Sequence, residues 1–199
     1  AGHNSNLGDS ARILEAIDFI HETAGTRPLV INLSVGRHGG PHDGTTLVEM
    51  AMDNFLKDNF NRQICQSVGN YYKTETHCTG LLAPGGTAEL EFEINPGDNS
   101  TNELEIWYGH NDEFDLTVVQ PNGEFHQCKL SAKSPVYNNG VHIGMIYHRQ
   151  DDPNNRKNHI NIFLYPLAPS GKWKLRLGGL KVTDGRFDAW IERDGGCAN

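Results

Sequence analysis

The hydrophobic period of the chain changes near residue 80, and this change limits the possible fold more than any other feature. In residues 8–25 and 45–59, apolar side chains recur at steps of three and four, which predicts two amphipathic helices. Asp9 or Ser10 suits the first N-cap, and Gly25 suits the helix end. A short apolar run follows each helix; the first, residues 28–35, does not alternate and is typical of a strand buried on both faces. This order predicts an α/β layer around a parallel sheet.

After residue 80, apolar and polar residues alternate, as in TAELEFEI at 87–94. Roughly eight such segments, separated by turn signals, predict an antiparallel sandwich. The boundary is expected near GLLAPGG (80–86), which gives two domains, residues 1–82 and 83–199. The side chains expected to face the interior of the sandwich are Leu90, Phe92, Ile94, Leu116, Val118, Ile160, Ile162, Leu175 and Leu177.

Composition excludes several classes of protein. The chain has 199 residues and a formal net charge of −8, and its basic residues form no stripe, so we expect no nucleic-acid partner. No apolar run approaches the roughly 20 residues that span a bilayer, so we expect no membrane partner. The four cysteines lack zinc-site spacing, and three disulfide pairings among them stay open. The chain starts at AGHNSNLGDS and stops at DGGCAN, and we expect both ends to be cuts inside a longer polypeptide.

The first half of the chain resembles part of a known catalytic domain. ARILEAIDFIHETAGTRPLVINLSVG, the following Gly/Pro loop, and SVGN occur in the order and at the separation found in subtilisin-like serine peptidases (subtilases). The resemblance covers residues 7–79, and PSGKWKLRLGGLKVTDGRFDAWIERD more loosely resembles the end of the jelly-roll modules of many subtilases. It implies a partial subtilisin-like parallel sheet with helices, followed by an inserted, jelly-roll-like antiparallel sandwich.

The same resemblance implies roles for five residues. Ser34, Val35 and Gly36 correspond to the segment that pairs with an extended substrate peptide, a form of β-augmentation. Asn70 corresponds to the family's oxyanion-hole asparagine, and Gly69 permits the turn that directs its amide inward. The implied partners are a polypeptide substrate and the remainder of the catalytic domain.

The catalytic triad is absent from the chain. The family's Asp and His motifs would precede residue 1, and its Ser motif would follow residue 199. We therefore expect the parent protein to be a serine endopeptidase and this chain alone to be inactive. His42 and Asp43 form no dyad with a nucleophile; they are expected to be loop residues, with Asp43 suited to a helix start.

The alternative is a non-catalytic binding module, a pseudo-protease remnant whose sandwich binds carbohydrate or a protein partner. Trp107, Trp173 and Trp190 could stack on sugars, although tryptophan in a sandwich is more often part of the core. His142 and His148 are expected on the solvated face of their strand. No metal site or other cofactor is expected; residues 151–155 (DDPNN) are a polar hairpin loop or, alternatively, a calcium loop.

Overall fold

A computed structural model describes residues 10–192, which divide into two compact units between Tyr72 and Lys73. The predicted domain boundary at residues 82/83 stays a prediction. Within the described range, no helix combines the length and the apolar composition needed to cross a membrane.

The first unit contains α1 (Ser10–Ala24), β1 (Leu29–Leu33), α2 (Leu47–Asp58) and β2 (Arg62–Gln66). Gly25, with a φ of +58°, ends α1 as the sequence predicts. Asp9 lies outside the described residues. The N-cap of α2 is Thr46, which forms a capping box with Glu49. Asp43, expected at this position, instead accepts a hydrogen bond from the backbone N–H of Thr45 within the preceding loop.

β1 and β2 form a two-stranded parallel sheet in which Leu29 faces Arg62 and Leu33 faces Gln66. The expectation that β1 is buried on both faces is wrong, because Ile31 is buried whereas Val30 is 67% exposed. With α1 against β1 and α2 against β2, one face of the sheet is covered and the other is open among the described residues.

The second unit is built from ten antiparallel strands. They are β3 (His77–Leu81), β4 (Thr87–Ile94), β5 (Asn102–Tyr108), β6 (Glu113–Val119), β7 (Phe125–Lys129), β8 (Ala132–Asn138), β9 (Val141–Arg149), β10 (Asn158–Leu164), β11 (Gly171–Lys181) and β12 (Arg186–Ile191). They form a six-stranded sheet in the order β3-β12-β5-β10-β9-β8 and a four-stranded sheet in the order β4-β11-β6-β7. Both sheets contribute side chains to a single hydrophobic core.

The predicted fold class is therefore wrong, and so is the resemblance as a description of this fold. The described chain is mostly β: it has two helices and one small parallel sheet, which is not a subtilisin-like α/β core. A parallel α/β layer needs a crossover connection for each added strand, and residues 10–192 make one such crossover, between Leu33 and Arg62. The six-plus-four arrangement also departs from the eight-stranded jelly roll.

The alternation in the second half predicts its core correctly. Seven of the nine expected core side chains are buried: Ile94, Leu116, Val118, Ile160, Ile162, Leu175 and Leu177. The remaining two, Leu90 and Phe92, are partly buried and pack against the same core. The expected inward-facing set is confirmed.

The expectation for His148 is wrong because β9 contains a bulge. Tyr137 of β8 faces His142, but the next residue back, Val136, faces Gly144, so Ile143 is an extra residue on β9. The bulge reverses the side-chain alternation and turns His148 into the interior, where it is 1% exposed. His142 precedes the bulge and is exposed, as predicted.

Candidate functional site

The two segments singled out in the first unit lie side by side. Ser34 follows the carboxyl end of β1, and Ser67 follows the carboxyl end of β2. Because the strands are parallel neighbours, these ends meet at one edge of the sheet, and the backbone N–H of Ser67 donates to the carbonyl of Leu33 at 3.0 Å. Open α/β sheets bind ligands at this edge.

The segment after β1 is accessible. Ser34 and Gly36 are exposed and Val35 is half-buried. A Cβ built on Gly36 would meet no atom within 4 Å, so the space beside this backbone is open. An extended peptide can approach such a backbone closely.

The segment after β2 turns sharply at Gly69. Its φ is +84°, a conformation that strains any residue with a side chain, and a Cβ there would lie 3.3 Å from the ring of Tyr71. Asn70 follows the turn and is exposed. The positive φ requires glycine at this turn, and the substrate-binding role of Gly69 stays a prediction.

Two further contacts join these segments, and sequence reasoning missed both. Gln66 Nε2 donates to the carbonyls of Val35, at 2.6 Å, and Ser67, at 3.1 Å. The rings of His38 and Tyr71 meet edge to face with centroids 4.5 Å apart. The sequence offered one signal for Gln66, its position directly before SVGN. A polar residue at the end of a strand does not by itself indicate a contact with another segment.

His42 and Asp43 lie in the loop between β1 and α2. His42 has a φ of +52°, and its Nδ1 lies 2.9 Å from the carbonyl oxygen of Gly40. These contacts are local to the loop.

The tryptophans of the second unit have different environments. Trp173 lies in the core and donates from Nε1 to the carbonyl of Pro169 at 2.9 Å. Trp107 stacks on His159 with ring centroids 4.2 Å apart, and Trp190 stacks on His77 at 4.7 Å. Trp190 lines a cleft of about 490 Å³ that opens between the edge strands β3 and β4.

Two histidines of the second unit are held away from water. His148 Nε2 lies 2.6 Å from the hydroxyl of Tyr108, and burial lowers the pKa of His148 to about 4. Burial likewise raises the pKa of Tyr108 above its usual value. Burial, assisted by the charge of Arg149, lowers the pKa of His159. Tyr108, His148 and His159 are all buried residues of the six-stranded sheet.

No metal-binding cluster of three or more His, Cys, Asp or Glu side chains is found in residues 10–192. In the loop at 151–155, Asp152 accepts from the backbone N–H of Asn154 at 3.0 Å, while Asp151 lies 3.8 Å from the Nε of Arg156. Cys65 and Cys78 are exposed free thiols, Cys128 is a buried one, and Cys197 lies outside the described residues.

No protein-family model matches the chain, and no curated protein matches it. The chain is similar to a solved structure, that of the Clostridium perfringens CspB protease, with a TM-score of 0.81 and 21% sequence identity. The match covers 96% of this chain and 42% of the CspB chain, so the chain spans less than half the length of that protein. At this identity the likeness concerns the fold alone, and this fold is mostly antiparallel β, not the predicted α/β core with a jelly roll. The chain therefore shares its fold with part of a solved protease structure.

Proposed function

We propose that the chain is a segment of a serine endopeptidase and supplies the substrate-binding backbone and one oxyanion donor for peptide-bond hydrolysis. The observation that carries this proposal is that Ser34–Gly36 and Gly69–Asn70 follow neighbouring parallel strands and lie at one edge of the sheet. The protease fold of the structural neighbour supports it.

In this proposal a polypeptide substrate lies extended along Ser34, Val35 and Gly36, which places its scissile carbonyl near Asn70. Nucleophilic attack turns the carbonyl oxygen into an anion, and the Asn70 amide donates a hydrogen bond to it. A preorganised donor of this kind contributes about 10²–10³ in rate, a magnitude known from serine proteases. Further residues of the same polypeptide supply the nucleophile and the general base.

The test is steady-state hydrolysis of peptide substrates by the full-length protein. Asn70→Ala should lower kcat about 10²-fold and leave KM within a few-fold, since the lost bond forms only in the transition state. Gly36→Val should mainly raise KM, because its side chain fits the free protein but crowds the peptide. Asn54→Ala on the exposed side of α2 is the matched control and should change neither constant. An unchanged kcat in Asn70→Ala would refute the oxyanion role.

A second candidate function, binding of a carbohydrate by the second unit, is favoured by the cleft between β3 and β4. Its lining combines the rings of His77, Phe92 and Trp190 with carboxylates of Glu91 and Glu93, a combination suited to stacking on and hydrogen bonding with sugars. Titration of the 199-residue chain with an oligosaccharide panel should shift the NMR signals of these residues. Loss of the shifts in Trp190→Ala, but not in Trp173→Phe, would support this function; saturating sugar without any shift would exclude it.

A further inference from the structure

Gln66 is the last residue of β2, and its carboxamide lies between the two segments of the candidate site. Its Nε2 carries two hydrogens and contacts two carbonyl oxygens, that of Val35 at 2.6 Å and that of Ser67 at 3.1 Å. We infer that Gln66 is a positioning residue that fixes the substrate-binding backbone relative to the turn bearing Asn70. This inference rests on the proposed function.

The location of this contact makes it important for the geometry of the site. The parallel ladder ends at the pair Leu33 and Gln66, with the bond from the N–H of Ser67 to the carbonyl of Leu33, and regular strand pairing does not join the backbones beyond it. The side chain of Gln66 joins these two backbones by donating to the carbonyls of Val35 and Ser67. A positional error of about 1 Å in such a site can cost about 10²-fold in rate.

The contact also leaves the substrate-binding backbone usable. A carbonyl oxygen has two lone pairs, so Val35 can accept from Gln66 and still accept from the N–H of a peptide. By holding one lone pair, Gln66 fixes the direction in which the other points. We therefore expect Gln66 to influence both substrate binding, through Val35, and the chemical step, through the turn at Ser67–Asn70.

Gln66→Glu is the sharpest test because it keeps the shape and replaces both donors with a carboxylate facing two carbonyl oxygens. Gln66 is exposed, so the variant should fold. Gln63→Glu is the matched control: it makes the same change on the same strand at another exposed position. In the full-length protein, Gln66→Glu should raise KM and lower kcat, with at least a tenfold loss in kcat/KM, while Gln63→Glu should stay within twofold of wild type.

A second measurement distinguishes positioning from general stability. In the isotopically labelled 199-residue chain, Gln66→Glu should shift the backbone NMR signals of residues 34–36 and 67–70 at pH 7. The signals should return towards wild type below the ordinary Glu pKa of about 4.3, because the neutral acid regains one O–H donor. The Gln63→Glu chain should show no such pH-dependent recovery.

The two measurements separate this inference from the proposed function. Signals in Gln66→Glu that match those of Gln63→Glu at all pH values would overturn the positioning role, whatever Asn70→Ala shows. Signals that respond as expected, together with a normal kcat in Asn70→Ala, would overturn the proposed oxyanion role and with it any catalytic meaning of Gln66. A response in both measurements supports both.

Discussion

At the scale of single residues, the buried pair of His148 and Tyr108 shows how the interior fixes a protonation state. His148 Nδ1 lies 3.3 Å from the carbonyl of Cys128, which can only accept, so Nδ1 carries the proton. Nε2 then accepts from the hydroxyl of Tyr108 at 2.6 Å. Both ring nitrogens are satisfied in the neutral form, whereas a second proton on Nε2 would deprive the Tyr108 hydroxyl of this acceptor.

This arrangement predicts a loss of stability in mild acid. Burial lowers the pKa of His148 to about 4, below its unfolded value near 6.5, so the unfolded state binds more protons between these pH values. Stability from this group is complete above pH 6.5 and declines as the pH falls towards 4, by at most about 3 kcal/mol. His159, whose pKa is also lowered, changes stability in the same direction.

Urea unfolding of the second unit at pH 7.5 and pH 5 measures this effect. His148→Gln should reduce the difference in unfolding free energy between the two pH values, even if the variant is less stable at both. His110→Gln, at an exposed position, should leave the difference unchanged. An identical pH dependence in wild type and His148→Gln would contradict the assignment.

At the scale of elements, the sequence predicts features that depend on neighbouring residues better than it predicts the register between strands. The end of α1 at Gly25 and the inward set Ile160 and Ile162 follow from local spacing and residue type. The side chain of His148 could not be placed in this way, because the β9 bulge is defined by pairing with β8. Gln66 was missed for the same reason: its partner Val35 belongs to another segment.

Gly144, which pairs with Leu164 of β10, is also a sensitive position. A Cβ there would lie 2.4 Å from the carbonyl oxygen of Phe163 and 3.0 Å from the side chain of Leu164. Since neither the β10 backbone nor the buried core can easily move, Gly144→Ala should destabilise the second unit by about 3 kcal/mol.

Gly140→Ala is the comparison variant for this position. Gly140 has a φ of +80° but open space around it, so the cost should be about 1 kcal/mol from backbone conformation alone. Chemical denaturation of the two variants should rank them in this order. Equal losses would show that the β9–β10 approach is looser than the structure indicates.

At the scale of the whole molecule, the two units differ in how much apolar surface each one buries. The described part of the first unit buries two hydrophobic side chains, Ile17 and Ile31, and none of α2. The second unit buries a continuous core shared by two sheets. The α/β prediction failed at this scale because helical and strand periods identify elements but not how many strands complete a sheet.

This difference leads to a prediction about fragments that also tests the domain boundary. Residues 73–199 should fold alone and unfold cooperatively, whereas residues 1–72 alone should lack a cooperative transition. A fragment of residues 83–199 should be less stable than 73–199 by about 3 kcal/mol or more, because it loses β3 and the buried Leu82. It also uncovers Phe187, whose ring lies directly against Gly80. Urea midpoints and slopes of the three fragments provide the measurement. If 83–199 unfolds at the same midpoint and with the same slope as 73–199, β3 adds nothing to the sandwich and the boundary lies at residue 82.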